Sequence, residues 1–338
     1  MRFTSFLFAQ PAYRLVRRSW AGLLLGAVSL GLASCSKEAK DDLAPSPPAL
    51  VTFTAPGLFP EGVQYDAVNQ AFLVSSLTTG NVGRVKDDNT YTVLAAGSAT
   101  GITSAVGLQL DEARSRVLVA SSNATTGNVA KLVSLNRDKG TVNFTADLGA
   151  LRPSASGHFA NDIAVDEQGN AYVTDSFAPV IYKVTAQGVA SVFLDDVRLA
   201  ANPGAFGLNG LVFHADAAGG YLLVAKTDEG ILFKVPLSNP KSFTPVAAGI
   251  DLRGADGLLL QDDNTLQVVA GTQSKVYRLT SRDNWASATL AGTFATSGAG
   301  PTTLARRTGA DSYVLYANLS SITAATPPAT FSIGKVSF

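Results

Sequence analysis

From residue 50 to the C-terminus, short apolar runs rich in Val, Leu, Ile, Phe and Tyr alternate with turns of Gly, Asn and Asp. Runs of this length bounded by such residues read as strands, and long helical periodicities are scarce. The pattern repeats. Six segments align on one phase, residues 61–66, 106–111, 161–166, 209–214, 256–261 and 302–307, at intervals of 45, 55, 48, 47 and 46 residues. Each is followed by a second apolar strand, centred on 72–74, 117–119, 171–173, 221–224, 266–269 and 313–316. Each then has a third, in which a basic residue precedes an aliphatic one: Arg84-Val85, Lys131-Leu132, Lys183-Val184, Lys234-Val235, Arg278-Leu279 and Lys335-Val336.

A unit of this length with three or four strands is a propeller blade. The pattern therefore predicts an all-β chain, a six-bladed β-propeller with four-stranded antiparallel blades, as one domain over residues 49–338. A β-sandwich with an added domain is the rival, but it does not require such regular spacing. A single blade cannot bury both faces, so neighbours must stack and the ring must close. Leu50, Val51, Thr52, Phe53 and Thr54 precede the first blade as a spare strand. This strand is expected to complete the last blade.

The region before it reads differently. Residues 1–34 hold Arg2, Arg14, Arg17 and Arg18, no acid, and an apolar run over 20–33. That run is short for a membrane span of about 20 residues but suits a signal-peptide core. It ends in Leu32-Ala33-Ser34-Cys35, which resembles the bacterial lipoprotein signal, whose Cys thiol is lipidated. Cys35 is the chain's one cysteine. Residues 35–48, charged and then Pro-rich, read as a flexible tether. The expectation is an exported protein at the bacterial cell envelope, on the outer membrane or cell surface, touching the membrane through its lipid anchor only.

Composition narrows the chemistry. Charged residues make up 15% of the chain, against about 25% in an average soluble protein. Lys+Arg and Asp+Glu are balanced at 26 each, so no basic field points to nucleic acid. Two histidines and one cysteine exclude a multi-histidine zinc site, a Cys-rich site and an internal disulfide framework. A metal in this chain must be held mainly by oxygen.

In a propeller, the innermost strands line a central channel. The first positions of the six segments are Glu61, Val106, Asn161, Asn209, Asp256 and Thr302. Four of them carry carboxylate or carboxamide oxygens that the fold would bring together. Two charges and two neutral amides suit Ca²⁺, which takes 6–8 oxygens. Mg²⁺ retains most of its waters, and Zn²⁺ favours His and Cys; both remain alternatives. Turn chemistry is the competing explanation, because Asn and Asp before Gly are common turn residues.

These stretches resemble the senescence marker protein/regucalcin/gluconolactonase family, six-bladed propellers that act as metal-dependent lactonases, with phosphotriesterase-like relatives. The resemblance is carried by Phe59-Pro60-Glu61-Gly62, Asn161-Asp162, Leu208-Asn209-Gly210-Leu211 and Ala255-Asp256-Gly257-Leu258. It implies metal ligation by Glu61, Asn161, Asn209 and Asp256. It also implies hydrolysis of a lactone or related ester, phosphotriesters being a weaker expectation. Asp256 would then be the catalytic residue, as general base for water or as nucleophile. No clear counterpart of the family's sugar-binding Arg side chains is found. Asp162, Asp175, Lys226 and His158 are candidates for the surroundings of the metal or the substrate pocket. His214 reads as an exposed turn residue. Ser75, Ser76, Ser121 and Ser122 lack a Gly-x-Ser-x-Gly elbow, which argues against a serine hydrolase. A non-catalytic propeller that binds a partner around a structural metal is the competing class, because fold alone does not set function.

Overall fold

A computed structural model describes residues 46–338 apart from 124, 155, 156, 298, 299, 308 and 310. The expected signal segment 1–34, Cys35 and residues 35–45 of the tether lie outside the described residues. The predicted second and third strands all appear, for example Ala171–Asp175 followed by Val180–Val184. The structure is an all-β propeller built mainly of antiparallel four-stranded sheets. Among the described residues, helix is confined to single turns such as Gly97–Thr100.

Among the described residues, four sheets have four strands each, and a fifth has eight. The eight-stranded sheet joins two antiparallel runs through a short parallel contact, His158 with Asn128 and Phe159 with Val129. This departs from six separate sheets, and the repeat spacing supplies a reason. The interval of 55 residues is the longest in the repeat. Part of its excess lengthens the strand Asn128–Asn136, whose first residues reach the start of the next inner strand, His158–Val165.

The spare strand behaves as predicted. Leu50–Thr54 pairs antiparallel with Thr330–Val336, in register from Leu50↔Gly334 to Thr54↔Thr330. Val51 and Phe53 point inward and are fully buried, while Leu50, Thr52 and Thr54 face solvent, the period-2 pattern of a half-buried edge. Behind this seam Phe72 packs on Tyr313 at 5.3 Å and Phe59 on Phe331 at 5.7 Å between ring centres. One apolar cluster thus spans the first and last parts of the domain. Each sheet is apolar on both faces, and further clusters fill the spaces between neighbours.

Candidate active site

The inner strands share a local irregularity. Register with the second strand breaks between Ala105 and Leu108, Ala160 and Ile163, Leu208 and Leu211, Ala255 and Leu258, and Pro301 and Leu304. The residues inside the breaks begin with Val106, Asn161, Asn209, Asp256 and Thr302. A bulge unpairs the backbone and re-aims side chains, and here it occurs at one level of five inner strands. Glu61 lies just before its own inner strand, Val63–Asp66. There the Ser75 hydroxyl accepts from the amides of Glu61 at 3.2 Å and Gly62 at 2.7 Å.

This geometry overturns the turn explanation. Asn209-Gly210 and Asp256-Gly257 are bulges inside strands, and their glycines serve close approach between neighbouring inner strands. A Cβ on Gly210 would stand 2.2 Å from the Asp256 carbonyl oxygen, and one on Gly107 2.4 Å from that of Asn161. Hydroxyls tie successive inner strands at this level. Ser122 donates to Ala160 O at 2.9 Å, Ser176 to Leu208 O at 2.6 Å, and Thr227 to Ala255 O. Thr302 donates to Glu61 O at 2.9 Å and so ties the last inner strand to the segment ahead of the first. Ser76 is likewise spent on Leu58 O.

Glu61, Asn161, Asn209 and Asp256 line one cavity of about 230 Å³. The Asn161 amide nitrogen donates to Ser176 Oγ at 2.8 Å, and that of Asn209 to Thr227 Oγ1 at 3.1 Å. Anchoring the nitrogens leaves the carboxamide oxygens available to the cavity. Glu61 Oε2 and Asn161 Oδ1 are buried without any hydrogen-bond partner, a costly condition unless something else satisfies them. Burial first, then the charges of Asp256 and Asp162, hold the Glu61 carboxyl well above the ordinary range. Asp256 is pushed up to about 8 by burial and then by Asp162, with an Asn209 hydrogen bond acting in the opposite sense. Burial raises Asp162 to about 7, against backbone hydrogen bonds from Ile163 and Leu211.

These features fit a hard divalent cation. Every converging donor is oxygen, two of those oxygens are buried without a partner, and burial holds three nearby carboxyls toward their neutral form. Among the described residues, no three His, Cys, Asp or Glu side chains form a metal-holding group by themselves. The carboxamides of Asn161 and Asn209 would therefore supply half of such a donor set.

The secondary candidates divide. Asp162 occupies the position that is glycine in four other inner segments; its Oδ2 accepts from Leu211 N at 3.2 Å. It faces the channel beyond the cavity, beside Gln64 and Gln109. Asp175 is fully buried and does not line the cavity. Its Oδ1 accepts from the amides of Phe159, Phe177 and Ala178, and its Oδ2 meets His158 Nδ1 at 2.7 Å. His158 and Asp175 thus brace the cavity wall from behind. Lys226 is buried in an ion pair with Glu229 at 2.8 Å and also lies off the cavity. His214 is buried rather than exposed, stacked on Tyr221 at 4.6 Å; a flat ring at the strand end fills a space that a turn carboxylate would not.

Val106, which shares the repeat phase of the four, is in the wall as well; sequence reasoning missed the rest of it, Leu77, Phe159, Phe206, Thr227 and Leu319. Asn209, Thr227, Asp256 and Leu319 also border an adjoining lobe of about 290 Å³ walled by Gly254, Gly271, Thr272, Gly300 and Thr302. Asp256 therefore stands where the cavity, walled by oxygen donors on one side and apolar side chains on the other, meets a lobe lined by small and hydroxyl-bearing residues.

No protein-family profile and no curated protein sequence matches the chain. Solved structures do. The major allergen Mala s 1 of Malassezia sympodialis superposes with a TM-score of 0.70 at 18% identity, over 86% of this chain and 96% of that one. A calcium-binding regucalcin from Agrobacterium tumefaciens gives 0.58 at 17%, over 83% and 92%. A gluconolactonase from Xanthomonas campestris gives 0.57 at 16%, over 85% and 89%. At these identities the likeness establishes the fold: the chain is a β-propeller of the kind seen in regucalcin and gluconolactonase.

Proposed function

We propose that the protein is a divalent-cation-dependent hydrolase of a lactone or related ester, with Ca²⁺ as its cation. We also read the eight-stranded sheet as two blades, so that the propeller has six, over residues 49–338. One observation carries the functional reading: four oxygen-bearing side chains, three from inner strands and Glu61 from the segment just ahead of a fourth, meet in one cavity, and two of their oxygens lack any protein partner.

Glu61, Asn161, Asn209 and Asp256 would hold the cation. Bound there, it would polarise a carbonyl oxygen and offset the charge that develops on it. The protein's own contribution is placement. Bulges aim Asn161, Asn209 and Asp256, Ser75 holds the backbone at Glu61, Ser176 and Thr227 orient the two carboxamides, and the cavity takes an ester group out of bulk water. Asp256, at the junction of the lobes, is the carboxylate placed to accept a proton from an attacking water or to attack the carbonyl carbon itself. Neither His158 nor Lys226 lines this cavity, so neither is assigned to the reaction. Export and lipidation at Cys35, with a cell-envelope location, complete the proposal.

The test is a panel of lactones and aryl esters assayed with calcium and with chelator. Hydrolysis that chelation abolishes and calcium restores supports the reading. Calcium binding without turnover of any panel member would replace it with a binding propeller that carries a structural cation.

A further inference from the structure

We infer that the site selects substrates with an alkyl or aryl substituent and discriminates against polyhydroxylated lactones, and that Phe206 and Phe159 set this preference. The inference rests on the hydrolase reading and narrows its substrate class.

Three phenyl rings form an array, of which Phe159 and Phe206 line the cavity and Phe177 packs against both from outside it. Phe206 meets Phe159 edge-on at 5.4 Å and Phe177 at 5.1 Å between centres, and Phe159 lies 5.3 Å from Phe177. Phe159 is buried, whereas Phe206 is 46% exposed. A single exposed apolar residue needs no explanation. Here, however, the exposed ring borders the same cavity as the four oxygen-bearing side chains, and Leu77, Val106 and Leu319 continue the apolar surface. The array is also held in place. Asp175, fully buried, accepts from the backbone amides of both Phe159 and Phe177 and so fixes the strand end and the loop that carry these two rings.

Among the described residues, no Lys, Arg, Gln or His lines either lobe. A sugar lactone would bring several hydroxyls against Phe159, Phe206 and Leu77, where they would lose water without gaining partners. An alkyl or aryl substituent loses nothing there and gains apolar burial. The ester group itself would sit at Asp256, where the lobes meet; in the second lobe the hydroxyls of Thr227, Thr272 and Thr302 already donate to the carbonyls of Ala255, Arg253 and Glu61.

Calcium-loaded protein is assayed on γ-butyrolactone, γ-hexalactone, γ-octalactone and glucono-1,5-lactone, with Phe206→Ala and Phe159→Leu alongside. Binding of octanoate and of gluconate is measured in parallel by calorimetry. The expected result is a kcat/KM that rises about threefold to fourfold per methylene, with the sugar lactone poorest. Phe206→Ala should lower kcat/KM for γ-octalactone about tenfold more than for γ-butyrolactone. Turnover independent of chain length, or best with the sugar lactone, overturns the inference and leaves the hydrolase reading intact. If no lactone is turned over, but octanoate binds in preference to gluconate and Phe206→Ala weakens it, the hydrolase reading fails and the apolar specificity stands. Neither turnover nor octanoate binding overturns both.

Discussion

Asp256→Asn should stabilise the metal-free protein while weakening the calcium-bound one. The substitution keeps size and an oxygen donor but removes a carboxyl that the site pushes up to about 8, from about 3.9 in an unfolded chain. Between those values the folded state holds a proton that the unfolded state has released. Metal-free wild type therefore loses stability as pH rises from about 4 to about 8, and the loss is complete above the folded value. Each unit is worth about 1.4 kcal/mol, so four units would give a ceiling of about 5–6 kcal/mol. Water at the cavity mouth and repulsion shared with Glu61 reduce this, and about 2–3 kcal/mol is the expectation at pH 8.5. The assay is urea unfolding in chelator at pH 4 and pH 8.5, repeated with calcium. The Asp256→Asn protein should match wild type at pH 4, exceed it at pH 8.5, and gain less from calcium. Hydrolysis should fall by about 10²–10⁴-fold even at saturating calcium if the carboxylate is the base. A variant less stable than wild type in chelator at pH 8.5 would refute the claim that uncompensated carboxylates crowd this site.

Other consequences concern the scaffold and the anchor. Gly210→Ala places a methyl 2.2 Å from the Asp256 carbonyl oxygen and should cost about 2–3 kcal/mol in urea unfolding, with weaker calcium binding; a neutral effect would show that the inner strands have room to separate. Starting the domain at residue 56 removes Val51 and Phe53 from the seam. At about 1.5–3 kcal/mol per buried side chain, unfolding should shift by roughly 3–6 kcal/mol, and an unchanged midpoint would mean that the strand does not hold the ring closed. Cys35→Ser should abolish incorporation of labelled fatty acid in a bacterial host, and normal labelling would remove the lipoprotein assignment.

The repeat was legible because its signals are local. Apolar alternation, turn residues and a fixed phase placed the second and third strands, and the unpaired run at 50–54 announced its own partner. The same phase led to Glu61, Asn161, Asn209 and Asp256. What it concealed was their mechanical setting. A glycine needed for close approach between strands looks like a turn glycine in sequence, so the bulges at Asn209-Gly210 and Asp256-Gly257 could not be read. The fused eight-stranded sheet depends on how far one long strand reaches, of which the 55-residue interval was the sole trace. Phe206 lies in a connecting loop just ahead of Leu208–His214, outside the repeat, so no periodicity marked it as cavity wall. The buried state of His214 and of Lys226 depends on Tyr221 and Glu229, contacts that a blade-by-blade alignment does not display.

Calcium titration of chelator-stripped wild type and Glu61→Gln protein, followed by calorimetry at pH 8, tests the cation site most directly. The account predicts one calcium per chain for wild type. It also predicts an affinity at least about 100-fold weaker for Glu61→Gln, because a desolvated charge contact to a cation is worth about 3 kcal/mol or more. Equal affinity in the two proteins, or no calcium bound by wild type at millimolar concentration, would contradict it.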